Sequence, residues 1–466
     1  MSLATRLQAM QPTDIGVPGP SNADMARAFR SVRADPLSFL GAVHERFGDV
    51  VSFPVPGAPA LLVNDPAGAR HVLQTAARNW GKQTIQYAAL AQVTGPGLLA
   101  SAEPDWIENR RTAAPAFHPR RLEAMSAQVA AAADDALATR LGAASSGPGG
   151  GTGGVVDVAD LTHRIGLDAV GRALFSADLS GHGQRLLDAT ATAASLVVRA
   201  GRTVVPGARL APTPTNLRLR STRRRLDAIC AQIIAHRRAR GPADDGTHGD
   251  DLLGLLIDSA LPDQQVRHEL VTMIIAGHET VAAALAWTLM LLAEDQPAQE
   301  RVRAELAAHP EPVPMLGYRE RLPFTRAVVD EALRLYPPAW TLSRRAREAD
   351  VVAGREVPAR TMVIVSPWLL HRRPDLWPDP LAFRPERFCD PAAGRVGYLP
   401  FGQGPRLCIG REFALGEMMI VLGRLLPGLR LSVPAGWTRP APLAQVAVHP
   451  RGGMPLLLRP TGARRG

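Results

Sequence analysis

The stretch FGQGPRLCIG, Phe401–Gly410, sets one of only three cysteines between glycines, two residues after an arginine and just ahead of a helical-looking run. A lone cysteine is most often a small buried hydrophobe, and its reactivity decides whether it matters. Here the setting favours reactivity. A helix starting just after Cys408 aims its positive end and its free N–H groups at the sulfur, which lowers the thiol pKa and favours the metal-binding thiolate. Gly402, Gly404 and Gly410 permit backbone conformations and close approaches that a side chain would block. Arg406 is on the same loop and suits a negative group of whatever the thiolate ligates.

The rest of the chain bounds what that loop can belong to. Its 466 residues, 46% hydrophobic and 21% charged, have the composition of a soluble globular protein. They suffice for two or three average domains or one large one that encloses a sizeable ligand. Cys230, Cys389 and Cys408 are too few and too scattered for a disulfide framework and fit a reducing cytoplasm. The start, MSLATRLQAMQPTDIGVPGP, has no apolar run of the kind a signal peptide or anchor needs, and no uninterrupted apolar run of about 18 residues predicts a membrane span. The net charge of +10 rests almost wholly on arginine, since Lys82 is the only lysine. Those charges do not cluster into a stripe, so a nucleic-acid surface is not expected. A solvated basic surface and a docking face for an acidic protein both fit.

The pattern along the chain is mostly helical. Strand character around VVSFPV (Val50 to Val55) and ALLVND (Ala60 to Asp65) flanks the turn-former PGAP. From Trp106 to about Ile257 the pattern is mostly helical. SSGPGGGTGG, Ser145 to Gly154, and RARGPADDGTHGDD, ending near Asp251, read as surface connections between helices. LPDQQVRHELVTMIIAGHETVAAALAWTLMLLAEDQ predicts one helix of more than thirty residues, apolar nearly all round in its middle and so buried on all sides. Short strand-like runs return in VVAGREVPARTMVIVS, and EFALGEMMIVLGRLL predicts another helix after Cys408. The fold class is mainly α with small peripheral β-sheets, in a single large domain over 1–466, with residues 1–20 expected to be a flexible N-terminal segment.

Three further motifs carry chemistry. In AGHET, Ala276 to Thr280, Gly277 costs about 1 kcal/mol relative to alanine inside a helix, which asks for a reason. Thr280 can bond backward to a carbonyl and open the helix locally. Gly277 and Thr280 then form a small groove beside a metal, and Glu279 places a carboxyl in an otherwise apolar stretch where an unpaired charge is costly. A kinked core helix with locally satisfied polar groups is the alternative. In EALR, Glu331 and Arg334 share one helix face at i,i+3, by itself an ordinary salt bridge. In WIENRR, Trp106 and Arg110 share a face at i,i+4, where a planar guanidinium suits a carboxylate and an indole N–H adds a donor.

Taken in order, W-x-x-x-R, A-G-x-E-T, E-x-x-R, FRPERF (Phe383 to Phe388) and F-x-x-G-x-R-x-C-x-G resemble the motif series of the cytochrome P450 family. GDVVSF near the start and PTPTN, Pro212 to Asn216, extend the resemblance over most of the chain. The resemblance implies the cytochrome P450 fold and heme b with its iron ligated by Cys408. Arg406, Trp106, Arg110 and Arg344 would hold the heme, Arg344 and neighbouring Arg345 both being candidates for one position, and Phe401, Gly402, Gly410 and Ala276 would line it. Thr280 would steady bound dioxygen, with Glu279 bringing protons through water and Gly277 opening the groove. Glu331, Arg334 and Arg387 would form a buried structural network behind the cysteine loop.

The implied activity is monooxygenation, one atom of O2 entering the substrate and the other leaving as water. Electrons would come from a separate ferredoxin and ferredoxin reductase, drawn to Arg110, Arg111, Arg120, Arg121 and Arg411. In the family the pocket is lined by the segments that here read TIQYAALAQVTGPGLLA, ELVTMIIAGHET and PPAWTL. Their few charges favour a neutral lipophilic substrate, a terpenoid or other secondary metabolite, with a fatty acid or macrolide next. Lys82 or Arg199 is a possible carboxylate anchor for the fatty-acid case. A peroxide-dependent enzyme of the same family and a non-enzymatic heme-thiolate sensor or carrier are the rival readings. A monomer in the cytoplasm is expected.

Overall fold

The computed structural model describes residues 16–461 except 56–58, 146–153, 177–188, 190–191, 194–195, 197–212, 243–245, 260 and 391–394. The helices that position the site are α1 (Ile85–Thr94), α2 (Asp105–Ala113), α3 (Ser126–Ser145), α4 (Val158–Phe175), α5 (Pro214–Ala239), α6 (Asp263–Glu294), α7 (Pro323–Leu335) and α8 (Arg411–Leu425). The long apolar run thus becomes α6, one continuous helix of 32 residues, about 48 Å at 1.5 Å per residue. It is the one helix among the described residues long and apolar enough to cross a bilayer, but that stretch is mostly buried inside the protein. Against it pack α4, α7 and α8, and the shared core includes Trp287, Leu289, Val328 and Met418.

The sheets are small and peripheral. One has five strands, β1 (Val50–Phe53), β2 (Ala60–Val63), β3 (Trp80–Gly81), β5 (Leu342–Ala346) and β8 (Met362–Val365), in the order β1-β2-β8-β5-β3 with only β2 and β8 parallel. A two-stranded hairpin joins β6 (Asp350–Val352) to β7 (Arg355–Val357), and another joins β10 (Pro442–Ala444) to β11 (Val448–Pro450). The strand β4 (Gly154–Asp157) was not anticipated inside the mostly helical middle. It forms the edge of a three-stranded sheet with β12 (Pro455–Pro460) and, beyond it, β9 (Leu429–Ser432), so its one pairing partner, β12, lies about 300 residues further on. Four residues between a glycine-rich stretch and a strong Asp157 helix cap carry too little periodicity to announce a strand.

The cysteine loop is held from behind. Arg334 and Glu331 are both fully buried and form a bidentate pair at 2.7 and 2.8 Å. The remaining guanidinium protons go to the carbonyls of His371 (2.8 Å), Pro380 (2.7 Å) and Ala382 (3.1 Å). Glu331 also accepts from the Arg384 amide at 2.9 Å and lies 3.4 Å from Arg387 Nε. Glu331, Arg334 and Arg387 thus lie together in one buried cluster. It reaches the loop through His371, whose Nδ1 meets the Arg334 carbonyl at 3.1 Å and whose Nε2 accepts the Leu399 amide at 2.8 Å, two residues before Phe401. Burial holds that imidazole neutral, its pKa pushed down to about 3, which leaves Nε2 free to accept. Arg334→Ala strands a buried carboxylate and three carbonyls, so a loss of about 3–5 kcal/mol is expected in urea unfolding. Arg334→Lys should not recover it, because an ammonium lacks the planar fork; an unfolding midpoint unchanged in the alanine variant would remove the pair from this role.

Candidate functional site

Two backbone features shape the loop at Phe401–Gly410. Gly402 and Gly404 both adopt positive φ, +72° and +73°, and a Cβ at Gly404 would stand 2.1 Å from the Leu73 carbonyl. Only glycine fits there. Gly410 differs from the expectation: its φ is −88° and a Cβ would meet Phe117 at 3.5 Å, ordinary contact. Its part is played by its amide, which hydrogen-bonds Cys408 as α8 begins. The Cys408 amide in turn donates to the Phe401 carbonyl at 3.1 Å. The fold alone does not lower the thiol as the sequence suggests. Burial pushes Cys408 up from its ordinary value, and the Gly410 amide, Arg110, Arg411 and Lys82 oppose it without prevailing. A coordinated metal deprotonates a thiol outright, which would reverse that balance. Although deep in the protein, the Cys408 side chain is accessible rather than packed over.

Four cations converge on the same region. Arg406 stacks over the Trp106 ring at 4.0 Å, with Arg110 on that ring at 5.7 Å, and the two donate to the carbonyls of Ser101 (2.9 Å) and Leu407 (3.1 Å). Arg344 is buried, whereas Arg345 points the other way and donates to the Arg360 carbonyl at the surface. Neighbours on a strand face opposite sides, so the register of β5 settles which arginine turns inward. The fourth cation is Lys82, buried beside β3, donating to the Leu99 carbonyl at 3.0 Å and lying 4.5 Å from the Tyr87 ring centre. This places it in the cation cluster rather than at a separate carboxylate anchor; Arg199 lies outside the described residues.

These charges press on one another. Burial and then Arg344, Arg406 and Arg110 hold the Lys82 ammonium well below its ordinary value, Cys408 alone opposing them. Burial and Arg344 bring Arg406 down to about 10, with Glu103 the main opposing charge. Glu103 is also the one carboxylate that any of the four approaches among the described residues, 3.9 Å from Arg406, and it is already paired to Arg347 at 2.9 Å. Such a donor set fits a ligand that carries two carboxylates and a metal for Cys408.

The A-G-x-E-T run lies in α6. From Val266 to Ala293 every residue is buried except Ala276, Gly277 and Thr280, which share one face and stay accessible. Thr280 donates back to the Ala276 carbonyl at 2.8 Å, yet the helix is unbroken there, so the anticipated opening is absent. Gly277 has a packing reason as well: a Cβ would come within 3.1 Å of Val170, and one on Gly166 within 3.3 Å of the His278 carbonyl, so two glycines let α4 and α6 close together. Glu279 is buried and bonded to His449 Nε2 at 2.9 Å. Burial alone would raise its pKa, but that bond and the charges of His449, His278 and His163 bring it below the ordinary value. No sequence motif flagged His449; its strand, β11, simply delivers it there.

The three predicted pocket segments meet. Thr84 bonds Ser343 (2.7 Å), Gln86 reaches Thr341 (3.4 Å), and Glu269 accepts the Leu98 amide (3.0 Å). Burial raises Glu269 to about 7, against the bonds from Leu98 and Gln265, so a carboxyl inside the apolar segment titrates near neutral pH. The Pro337–Leu342 segment also reaches a stretch that carries no motif: Trp340 Nε1 donates at 2.9 Å to the Gln445 carbonyl in the turn between β10 and β11.

Comparison with known proteins agrees with this geometry. The family model for cytochrome P450 matches residues 23–457. A cyclooctat-9-en-7-ol 5-monooxygenase of Streptomyces melanosporofaciens is 34% identical over 418 residues, 86% of each chain. Cyclooctatin synthase of the same organism is 31% identical over 91% of this chain and 90% of its own, and a cytokinin hydroxylase of Arabidopsis thaliana is 31% identical over 82% and 75%. The chain belongs to the cytochrome P450 family and is a monooxygenase of that heme-thiolate class, its mainly helical fold that of the family.

Proposed function

We propose that this chain hydroxylates or epoxidises a neutral lipophilic compound, a terpenoid above all, while heme b sits between the Cys408 loop and the accessible face of α6. The observation that carries the placement is the crowd of four cations, Lys82, Arg110, Arg344 and Arg406, around a deep accessible thiol with a single shared carboxylate. The two propionates of a heme would relieve that crowding, and its iron would take the sulfur as thiolate. When bound, the group supplies the oxygen-activating chemistry, which thiolate donation favours.

The chain's own residues divide the remaining work. Trp106 and the four cations orient the group and neutralise its carboxylates. Ala276 and Gly277 leave room on α6, and the Thr280 hydroxyl, anchored to the Ala276 carbonyl, is placed to hold a small ligand there. Glu279 hands protons toward it. The Thr84–Ala100 segment, Pro337–Leu342 and the Gln445–Ala447 turn exclude water and shape the pocket. Two relatives take their names from cyclooctatin and from an alkenol, which favours a lipophilic alkene or alcohol over a fatty acid.

Electrons would arrive from an acidic ferredoxin served by its reductase. Of the five arginines expected to attract it, Arg110 faces the cation cluster, Arg121 pairs with Asp250 and Arg411 with Glu412. Arg111 and Arg120 are exposed, with no ion pair among the described residues, and are the docking charges left.

Three outcomes follow. The reduced protein should give the strongly red-shifted carbon monoxide band of a thiolate-ligated heme, and Cys408→Ala should lose it; a folded, heme-loaded protein without the band would end this reading. Lys82→Met should release heme to an acceptor globin about tenfold faster or more, the scale of one charge-assisted hydrogen bond, while Arg345→Met leaves the rate alone; equal rates would return Lys82 to another role. Reversing the charges of Arg111 and Arg120 should slow ferredoxin-driven turnover and flatten its salt dependence, and unchanged turnover would exclude that face.

A further inference from the structure

The groups around Glu279 come from three elements. From β11, His449 approaches at 2.9 Å. From α6 itself comes His278, buried, its Nδ1 bound to the Ile274 carbonyl at 3.2 Å. From α4 comes His163, whose ring stacks on His449 at 5.2 Å and 20° and meets His278 edge-on at 5.5 Å, with Asp157 ahead of it at the α4 cap. Among the described residues no arginine or lysine pairs with Glu279. That choice of partner matters. A guanidinium would hold the carboxylate charged and pass nothing on, whereas an imidazole exchanges protons near neutral pH and does so through two nitrogens.

We propose that His449 is the proton donor that recharges Glu279, giving up its proton at Nε2, with the stacked ring of His163 fixing its orientation. The proposal rests on the reading of Glu279 as the carboxylate that feeds Thr280. Each cycle balances: one proton enters His449 from water, one moves from Nε2 to Glu279 Oε2, one leaves the carboxyl toward the Thr280 face, and the neutral imidazole returns to its Nε2–H tautomer before the next transfer, with no change in electrons. Three observations favour this route. The His449 side chain is only 12% accessible and Glu279 4%, so the pair is sheltered, with the histidine the more accessible of the two. His163 makes no hydrogen bond to His449, so it supports without conducting, and burial with the neighbouring His278 keeps it neutral down to about pH 4. His278 is tied to its own helix and faces the edge of His163, which leaves His449 as the ring bonded to the carboxylate.

The test uses the heme-loaded protein and two variants, His449→Gln and His449→Arg. The glutamine keeps a hydrogen-bond donor and the arginine keeps a charge, but neither shuttles a proton at neutral pH. Both should hold heme and give the wild-type carbon monoxide band. Product formed per electron should fall by about 10²-fold, the low end for losing a positioned proton donor, with more reduced oxygen escaping as peroxide. The pH dependence of coupling in the wild type should differ from that of both variants, in which no imidazole stands beside Glu279. A second readout needs no turnover: the infrared carboxylate band removed by Glu279→Gln should shift with pH in the resting wild type and stay fixed in both variants. Wild-type coupling and pH profile in either folded variant, or a band that still titrates without His449, would overturn the proposal. A wild type lacking the carbon monoxide band would strike the oxygenase reading alone, because the infrared titration is read without it.

Discussion

The site depends on a buried ion pair that is worth little by itself. Glu331 and Arg334 sit where neither touches water, and taking two such charges out of solvent costs several kcal/mol each. What makes the pair tolerable is that almost every remaining valence is filled by backbone: three carbonyls on the guanidinium and an amide on the carboxylate. Those backbone groups come from the meander between residues 371 and 384, a stretch with little regular structure to fix it. The pair thus converts an irregular chain into a rigid shelf, and His371 transmits its position to Leu399 and so to the cysteine loop. Stability and chemistry meet in that one link.

A comparable logic runs through α6. A helix apolar enough to cross a bilayer nonetheless buries Glu269, His278 and Glu279, and each finds a partner suited to its state. Glu269 ties down the Leu98 amide close to neutrality, His278 holds its own helix, and Glu279 stays charged against His449. Glu417 in α8 is the exception: it is fully buried without a hydrogen-bond partner among the described residues, and burial pushes its pKa well above the ordinary value.

The family and the main elements were legible because their signals are local. The cysteine loop, the A-G-x-E-T run and E-x-x-R each need only a few consecutive residues, and α6 declares itself through unbroken apolar character. What escaped depends on contacts far apart in the chain. Arg344 and Arg345 are equivalent until the pairing of β5 with β8 assigns each a face. Lys82 lies over 250 residues from Arg344 and over 300 from Arg406, so nothing nearby in the sequence marked it as their companion. Gly277 was read as room for a ligand, yet Val170 on a helix a hundred residues earlier also requires it. His449 carries no motif at all. The thiol was misjudged for a related reason: helix-end polarity can be inferred from sequence, but burial cannot be weighed until the whole fold closes around it.

The chain's single lysine is one of its inward-facing cations. The outer surface therefore owes its positive side chains to guanidinium groups, which stay charged at any pH where the fold survives. Acylating or reductively methylating reagents that decorate most proteins find no lysine side chain outside. Any amide or methyl label recovered at Lys82 would then mark a molecule that had opened between the Leu99 carbonyl and the Tyr87 ring. A reagent usually used to map surfaces becomes, in this protein, a clock for the breathing of its interior.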